Sequence, residues 1–295
     1  MWVNGSIESY SAPFWSRFGN YGGLPSMEAM LREPQTALLS EFRHHENPGS
    51  PFHHWTAARD AYLSQRDAVT QRFGAPVVAG YTWTGYGYGQ PNQPAYAAAR
   101  YTWTASNHLM ALYLASQIHP ATNPNPGLWP GTQFMTRYSG LLWSRDLKVL
   151  PDAKSRFAAM LNRPVWWERY GYRRQTPTGE DLLLHLVNVP ETETVDILRQ
   201  TDPPPAGGTV TLTLPPGATL TSAWALRMRG YVDNTNRGGA AYKTALGKHV
   251  AGSIVRAGPE QVALPATVKD GKVAVTVPPF LYHTLLVFRV EGGKQ

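Results

Sequence analysis

Two apolar periods divide the chain. Up to about residue 150, short near-continuous apolar runs alternate with stretches whose apolar residues recur at three and four. From about residue 163 the chain reads as short runs between Pro, Gly and Asp turns, with almost no helical spacing. The sharpest unit of the first part begins with the apolar run TALLSEF at 36–42, the pattern of a parallel strand covered on both faces. Ser50 then offers an N-cap with Pro51 at the first helical position, and Trp55, Ala58, Tyr62, Val69 and Phe73 share one helical face. Gly74 ends that helix, and a second apolar run follows at 76–83. Strand, loop, helix, short turn and strand make a βαβ unit.

The pattern then weakens. GYGYGQPNQP is a loop, 95–107 is helix-like, and 109–115 reads equally as a further strand or as a continuation of that helix. After the Pro-rich loop QIHPATNPNPGLWPGT comes a helix over 133–146 with Phe134, Tyr138, Leu141 and Leu142 on its apolar face. Upstream, 2–4 is the end of another strand and 26–32 a short helix. Beyond a linker at 151–162, PVWWERYGYRR, LLLHLVNV, GTVTLTL, TLTSAWALRMR, EQVALPATV, KVAVTVPP and TLLVFRVE give about seven strands. The predicted fold is α/β plus all-β: a partial (β/α)8 barrel of its last three to four βα units over 1–150, then an antiparallel β-sandwich over 163–295. A doubly wound sheet fits the first part as well, and both architectures carry their chemistry at the carboxyl ends of strands.

Composition narrows the chemistry. With 42% hydrophobic and 16% charged residues the chain folds, and its 25 Pro and 27 Gly imply many turns. The absence of Cys removes disulfides, thiolate metal sites and a cysteine nucleophile. A net charge of +7 comes from scattered Arg and Lys without a basic run, so no nucleic-acid partner is expected. No apolar stretch is long enough to span a membrane, and the first residues show no signal peptide, which leaves the compartment open. Dinucleotide, P-loop, α/β-hydrolase and zincin motifs are missing.

Carboxylates remain. None occurs between Asp67 and Asp146, although that interval contains two expected strand ends. Glu41 is the best placed: near the end of an apolar strand it would be partly desolvated, its pKa raised toward what a general acid needs. The competing reading pairs it with Arg43 or His44 as a loop anchor. Glu8, after the first strand, is a weaker second candidate, with loop capping as its alternative. Nine of the ten Trp lie in 1–167. Trp83, Tyr86, Tyr88 and Trp129, in or beside Gly/Pro loops, suit stacking on sugar rings, with His44 as a hydrogen-bond donor to hydroxyls. Trp55 and Trp143 read as core. The run RHHENPGSPFHH offers metal ligands, but its adjacent His pairs diverge and no second cluster completes a set, so neither metal nor cofactor is expected.

The order LLSEF, PVVAGYTW, a helix into NHLMALYLAS, a Pro-rich loop ending LWPGTQF, then MTRYSGLLWSRDL and a sandwich containing HLVNV resembles the C-terminal half of a glycoside hydrolase barrel. It is most similar to glycoside hydrolase family 66, the dextranases and cycloisomaltooligosaccharide glucanotransferases. The resemblance covers about residues 36–190. It implies a retaining, two-carboxylate reaction on an oligosaccharide or polysaccharide, with Glu41 matching the acid/base glutamate of a Tyr-Ser-Glu-Ile-Trp strand end. His108 matches a substrate-binding histidine in a following strand. Two departures stand out: the nucleophilic aspartate has no counterpart, and the family's His-Ile-Glu-Leu-Gly reads His108-Leu-Met-Ala-Leu. About 150 residues are also few for a barrel of about 250. The expectation is therefore a glycoside hydrolase-like chain whose nucleophile is missing and which alone is inactive. A non-catalytic carbohydrate-binding barrel and a structural or partner-binding fragment are the alternatives.

Overall fold

The structure, a computed structural model, describes residues 2–6, 37–42, 54–73, 78–82, 103–121, 129–144, 146–194, 202–229 and 258–292. Four strands come first: β1 (Trp2–Ser6), β2 (Ala37–Phe42), β3 (Val78–Thr82) and β4 (Ile118–Ala121). They pair side by side in that order, all parallel. Among the described residues this sheet is open, with β1 and β4 at its edges. Helix α1 (Trp55–Phe73) connects β2 to β3, so the predicted βαβ unit is present. The apolar stripe read from spacing is its buried face: Trp55, Ala58 and Tyr62 are all but inaccessible.

Two sequence expectations change here. The start of α1 is fixed from far along the chain: Glu193 accepts a hydrogen bond from Thr56 N at 2.9 Å and another from the Thr56 hydroxyl at 3.0 Å. The Ser50–Pro51 start lies outside the described residues. The ambiguous stretch 109–115 is helical, part of α2 (Trp103–Ala115), and β4 follows it inside what read as a Pro-rich loop. Helix α3 (Trp129–Leu142) sits close against α2, where a Cβ added to Gly131 would lie 2.3 Å from Met110 Cγ.

The rest is antiparallel. A seven-stranded sheet contains β5 (Leu147–Val149), β7 (Val165–Trp166), β8 (Gly171–Thr176), β9 (Gly179–Asn188), β11 (Ala218–Arg229), β12 (Gly258–Ala263) and β15 (His283–Gly292). A four-stranded sheet contains β6 (Phe157–Leu161), β10 (Ala206–Thr213), β13 (Ala266–Lys269) and β14 (Lys272–Phe280). Strand β6 falls within 151–162, the expected linker, and pairs with β10. EQVALPATV, which reads as one strand, is two: Pro265 cannot donate to a ladder, and β12 and β13 on either side of it join different sheets.

Leu182, Leu184 and Leu186 of β9 and Leu286, Phe288 and Val290 of β15 pack between the two sheets, together with Val210, Leu212, Val273 and Val275. The residues between them face the other way, toward Met110 and Leu114 of α2 and Phe134 and Leu142 of α3. The seven-stranded sheet is thus the middle of three layers, which is why LLLHLVN shows no polar alternation.

Candidate functional site

The carboxyl edge of the parallel sheet is where an α/β arrangement gathers functional groups. Ser6 of β1 is in register with Glu41 of β2, Glu41 with Tyr81 of β3, and Tyr81 with Ala121 of β4. Glu41 is therefore the next-to-last residue of an inner strand, flanked on both sides by parallel neighbours, as the apolar run and the following loop predicted. Glu8, His44, Trp83, Tyr86 and Tyr88 lie outside the described residues. Trp129 is the first residue of α3. Among the described residues, no three His, Asp or Glu come together as a metal-ligand set, and no helix is long and apolar enough to cross a membrane.

His108 sits on α2, a helix and not a strand, and only 1% of it is exposed. Its ring lies 5.6 Å from that of Trp55 and edge-on to Tyr282 at 4.9 Å. It belongs to a buried polar cluster between the helices and the seven-stranded sheet that the sequence reading did not find. In that cluster His185 Nδ1 and His283 Nε2 are 2.9 Å apart, one donating to the other, and Gln117 Nε2 lies 3.5 Å from His185 Nε2. Burial pushes His108 and His283 down to about 3. His185 is also held well below its ordinary value, first by burial and then by His283 and Arg66. All three imidazoles are neutral near pH 7.

Beside them Arg66 of α1 is almost fully buried and donates to the Arg169 carbonyl at 2.6 Å and the Tyr172 hydroxyl at 2.8 Å. The Tyr172 hydroxyl in turn donates to the Ala115 carbonyl at the end of α2. Asp67 joins Arg66 to Arg169, each at 2.6 Å. These bonds clamp α1 and α2 onto β8, which fixes how the α/β layer rides on the sandwich. A signal was present: three histidines and an arginine at otherwise apolar positions of helices and strands. Spacing alone does not show that they meet.

No family profile matches the chain, and no curated protein does. Several solved structures are similar to it, two of which follow. A cycloisomaltooligosaccharide glucanotransferase from Paenibacillus sp., complexed with cycloisomaltoheptaose, is 12% identical, with a TM-score of 0.40 over 62% of this chain and 27% of its own. A monomeric beta-xylosidase from Caulobacter crescentus CB15 is 12% identical, with a TM-score of 0.39 over 99% of this chain and 61% of its own. Both likenesses are distant, both neighbours are carbohydrate-active enzymes, and the chain spans less than two thirds of either.

Proposed function

We propose that this chain is a glycoside hydrolase-like protein, a partial (β/α) barrel carrying a β-sandwich, that acts on or binds an oligosaccharide at the carboxyl edge of its parallel sheet. The observation that carries this reading is the position of Glu41 at the carboxyl end of β2, an inner strand between parallel neighbours. The family 66 resemblance belongs to the same reading. In it, Glu41 protonates the leaving oxygen and then activates water, while a second carboxylate about 5–5.5 Å away acts as nucleophile. Glu8 is the candidate this chain offers for that second role. Trp83, Tyr86, Tyr88 and Trp129 supply stacking faces, and His44 hydrogen bonds.

One observation favours a second reading, non-catalytic carbohydrate binding: β3, β4 and the rest of the chain between Asp67 and Asp146 supply no Asp or Glu. A single pair of measurements separates the two. Wild type and Glu41→Gln are compared for binding of a panel of neutral oligosaccharides and for hydrolysis of aryl glycosides with good and poor leaving groups. An acid/base glutamate predicts that Glu41→Gln loses about a hundredfold or more on poor leaving groups, and much less on good ones. Pure binding predicts no hydrolysis by either protein and weaker oligosaccharide binding by the variant. If wild type neither binds nor cleaves any of them, both readings fail.

A further inference from the structure

We propose that the open flank of the sandwich is a second ligand site, built for a hydroxylated carboxylate such as a uronic acid unit of an acidic glycan. The proposal goes beyond the Glu41 reading and makes no use of it. Arg173 of β8 stands opposite Leu182 of β9, whose side chain belongs to the core between the sheets. Arg173 is nevertheless exposed. With the β8–β9 hairpin and Arg156, just ahead of β6, it lines a groove of about 320 Å³. That volume is at the low end of the roughly 300–1,000 Å³ of small-molecule sites, which suits one sugar ring better than a chain of them.

The charges in the groove select the ligand. Elsewhere in the sandwich Arg163 is matched with Glu191, Arg174 and Arg289 with Asp181, Arg227 with Glu260, and Arg169 with Asp67. Arg156 and Arg173 have no acidic partner among the described residues, and both line this groove. Their planar forks suit a carboxylate. Glu180 lines it too. It repels a bare oxyanion, yet its carboxylate accepts hydrogen bonds from hydroxyls. A ligand that carries an anionic group and hydroxyls together satisfies both halves of the site.

The hairpin is held in place beforehand. A Cβ added to Gly179 would lie 2.0 Å from the Val290 carbonyl oxygen, so only glycine allows the turn to press on β15. Thr178 donates from its hydroxyl to Glu291 Oε1 at 3.2 Å and accepts at its carbonyl from Gly292 N at 3.3 Å. A rim that is already ordered costs little to organise around a ligand.

The test is titration of the full chain with D-glucuronate, glucose and inorganic phosphate, followed by calorimetry or amide shifts. Glucuronate is expected to bind in preference to the other two, more weakly as salt rises. Arg156→Ala and Arg173→Ala should each weaken it about tenfold, with the thermal midpoint unchanged because neither side chain has an acidic partner. Glu180→Gln should narrow the preference for glucuronate over phosphate. Phosphate or glucose binding as tightly as glucuronate overturns the proposal. So does glucuronate binding that neither arginine variant affects, or no binding at all.

Discussion

The two faces of the seven-stranded sheet are made by the same strands and could hardly be packed more differently. On the side of the four-stranded sheet β9 and β15 present Leu182, Leu184, Leu186, Leu286, Phe288 and Val290 to other aliphatic and aromatic side chains. On the helix side the alternate positions bring His185 and His283, and the same layer holds Arg66 of α1, His108 of α2 and Gln117, just past the end of α2. One face is a core of the ordinary kind, held by apolar burial and close packing. The other spends part of its area on polar groups, and each one buried without a partner costs about 1–3 kcal/mol. The polar groups of the second face fix how the α/β layer sits.

Acid should expose that difference most. The unfolded chain titrates its histidines near 6.5, whereas His108 and His283 are held down to about 3 and His185 well below its ordinary value. Above 6.5 both states are neutral and nothing changes. As the pH falls from there toward 3, the unfolded state takes up protons that the folded state refuses, and stability drops. Between pH 7 and pH 5 His108 and His283 each remove about 2 kcal/mol, together on the order of 4 kcal/mol, a large part of a typical domain's stability, and His185 adds in the same direction. Asp181 adds in the same direction at lower pH: burial alone would raise its pKa, but hydrogen bonds from Arg289 and Arg174 outweigh that and hold it below the usual carboxylate value. Urea midpoints measured from pH 7.5 to pH 5 check this. A flat profile would mean that the polar face is open to water or already charged.

The dry face should respond to volume and not to pH. Phe288 is fully buried, with its ring centroid 5.8 Å from that of Phe157. Phe288→Ala should cost about 3–5 kcal/mol through lost transfer energy and the cavity left behind. The loss should be nearly the same at pH 7.5 and pH 6, measured by denaturant unfolding. A loss that varied steeply over that interval would show the two faces to be coupled through β15.

This layering was only half legible. The strand β2, the helix α1 and the strand β3 stood in the apolar runs and in the spacing of Trp55, Ala58 and Tyr62, because local burial wrote them there. The position of Glu41 at a strand's carboxyl end was readable for the same reason. Strand β4 was hidden by Pro120, and it exists because β3 offers it a partner, with Tyr81 in register with Ala121. FAAML of β6 reads as linker since its small residues carry little pattern. The helix layer over β9 and β15 is a tertiary fact. LLLHLVN announces a strand buried on both faces, but does not say what covers the second one. The same limit concealed the histidine cluster, whose members are far apart in sequence, and led the resemblance to give His108 a ligand's role while the fold gives it Trp55 and Tyr282 as neighbours.

The smallest expected effect tests the cost of polarity in the helix layer directly. Asn107 of α2 is 1% exposed, and neither its amide oxygen nor its nitrogen has a hydrogen-bond partner among the described residues. Leu is close to it in shape and is the better helix former by a few tenths of a kcal/mol. Removing an amide that the protein does not satisfy should return about 1–2 kcal/mol. Asn107→Leu should then raise the thermal midpoint by a few degrees while leaving the acid profile as it was, because Asn107 does not titrate. A lower midpoint would mean that the amide is satisfied through bridging water, and that the polar face is a hydrated network in which this side chain takes part. A higher midpoint with a shallower acid profile would instead mean that Asn107 helps keep the neighbouring His108 neutral, joining the smallest of these effects to the largest.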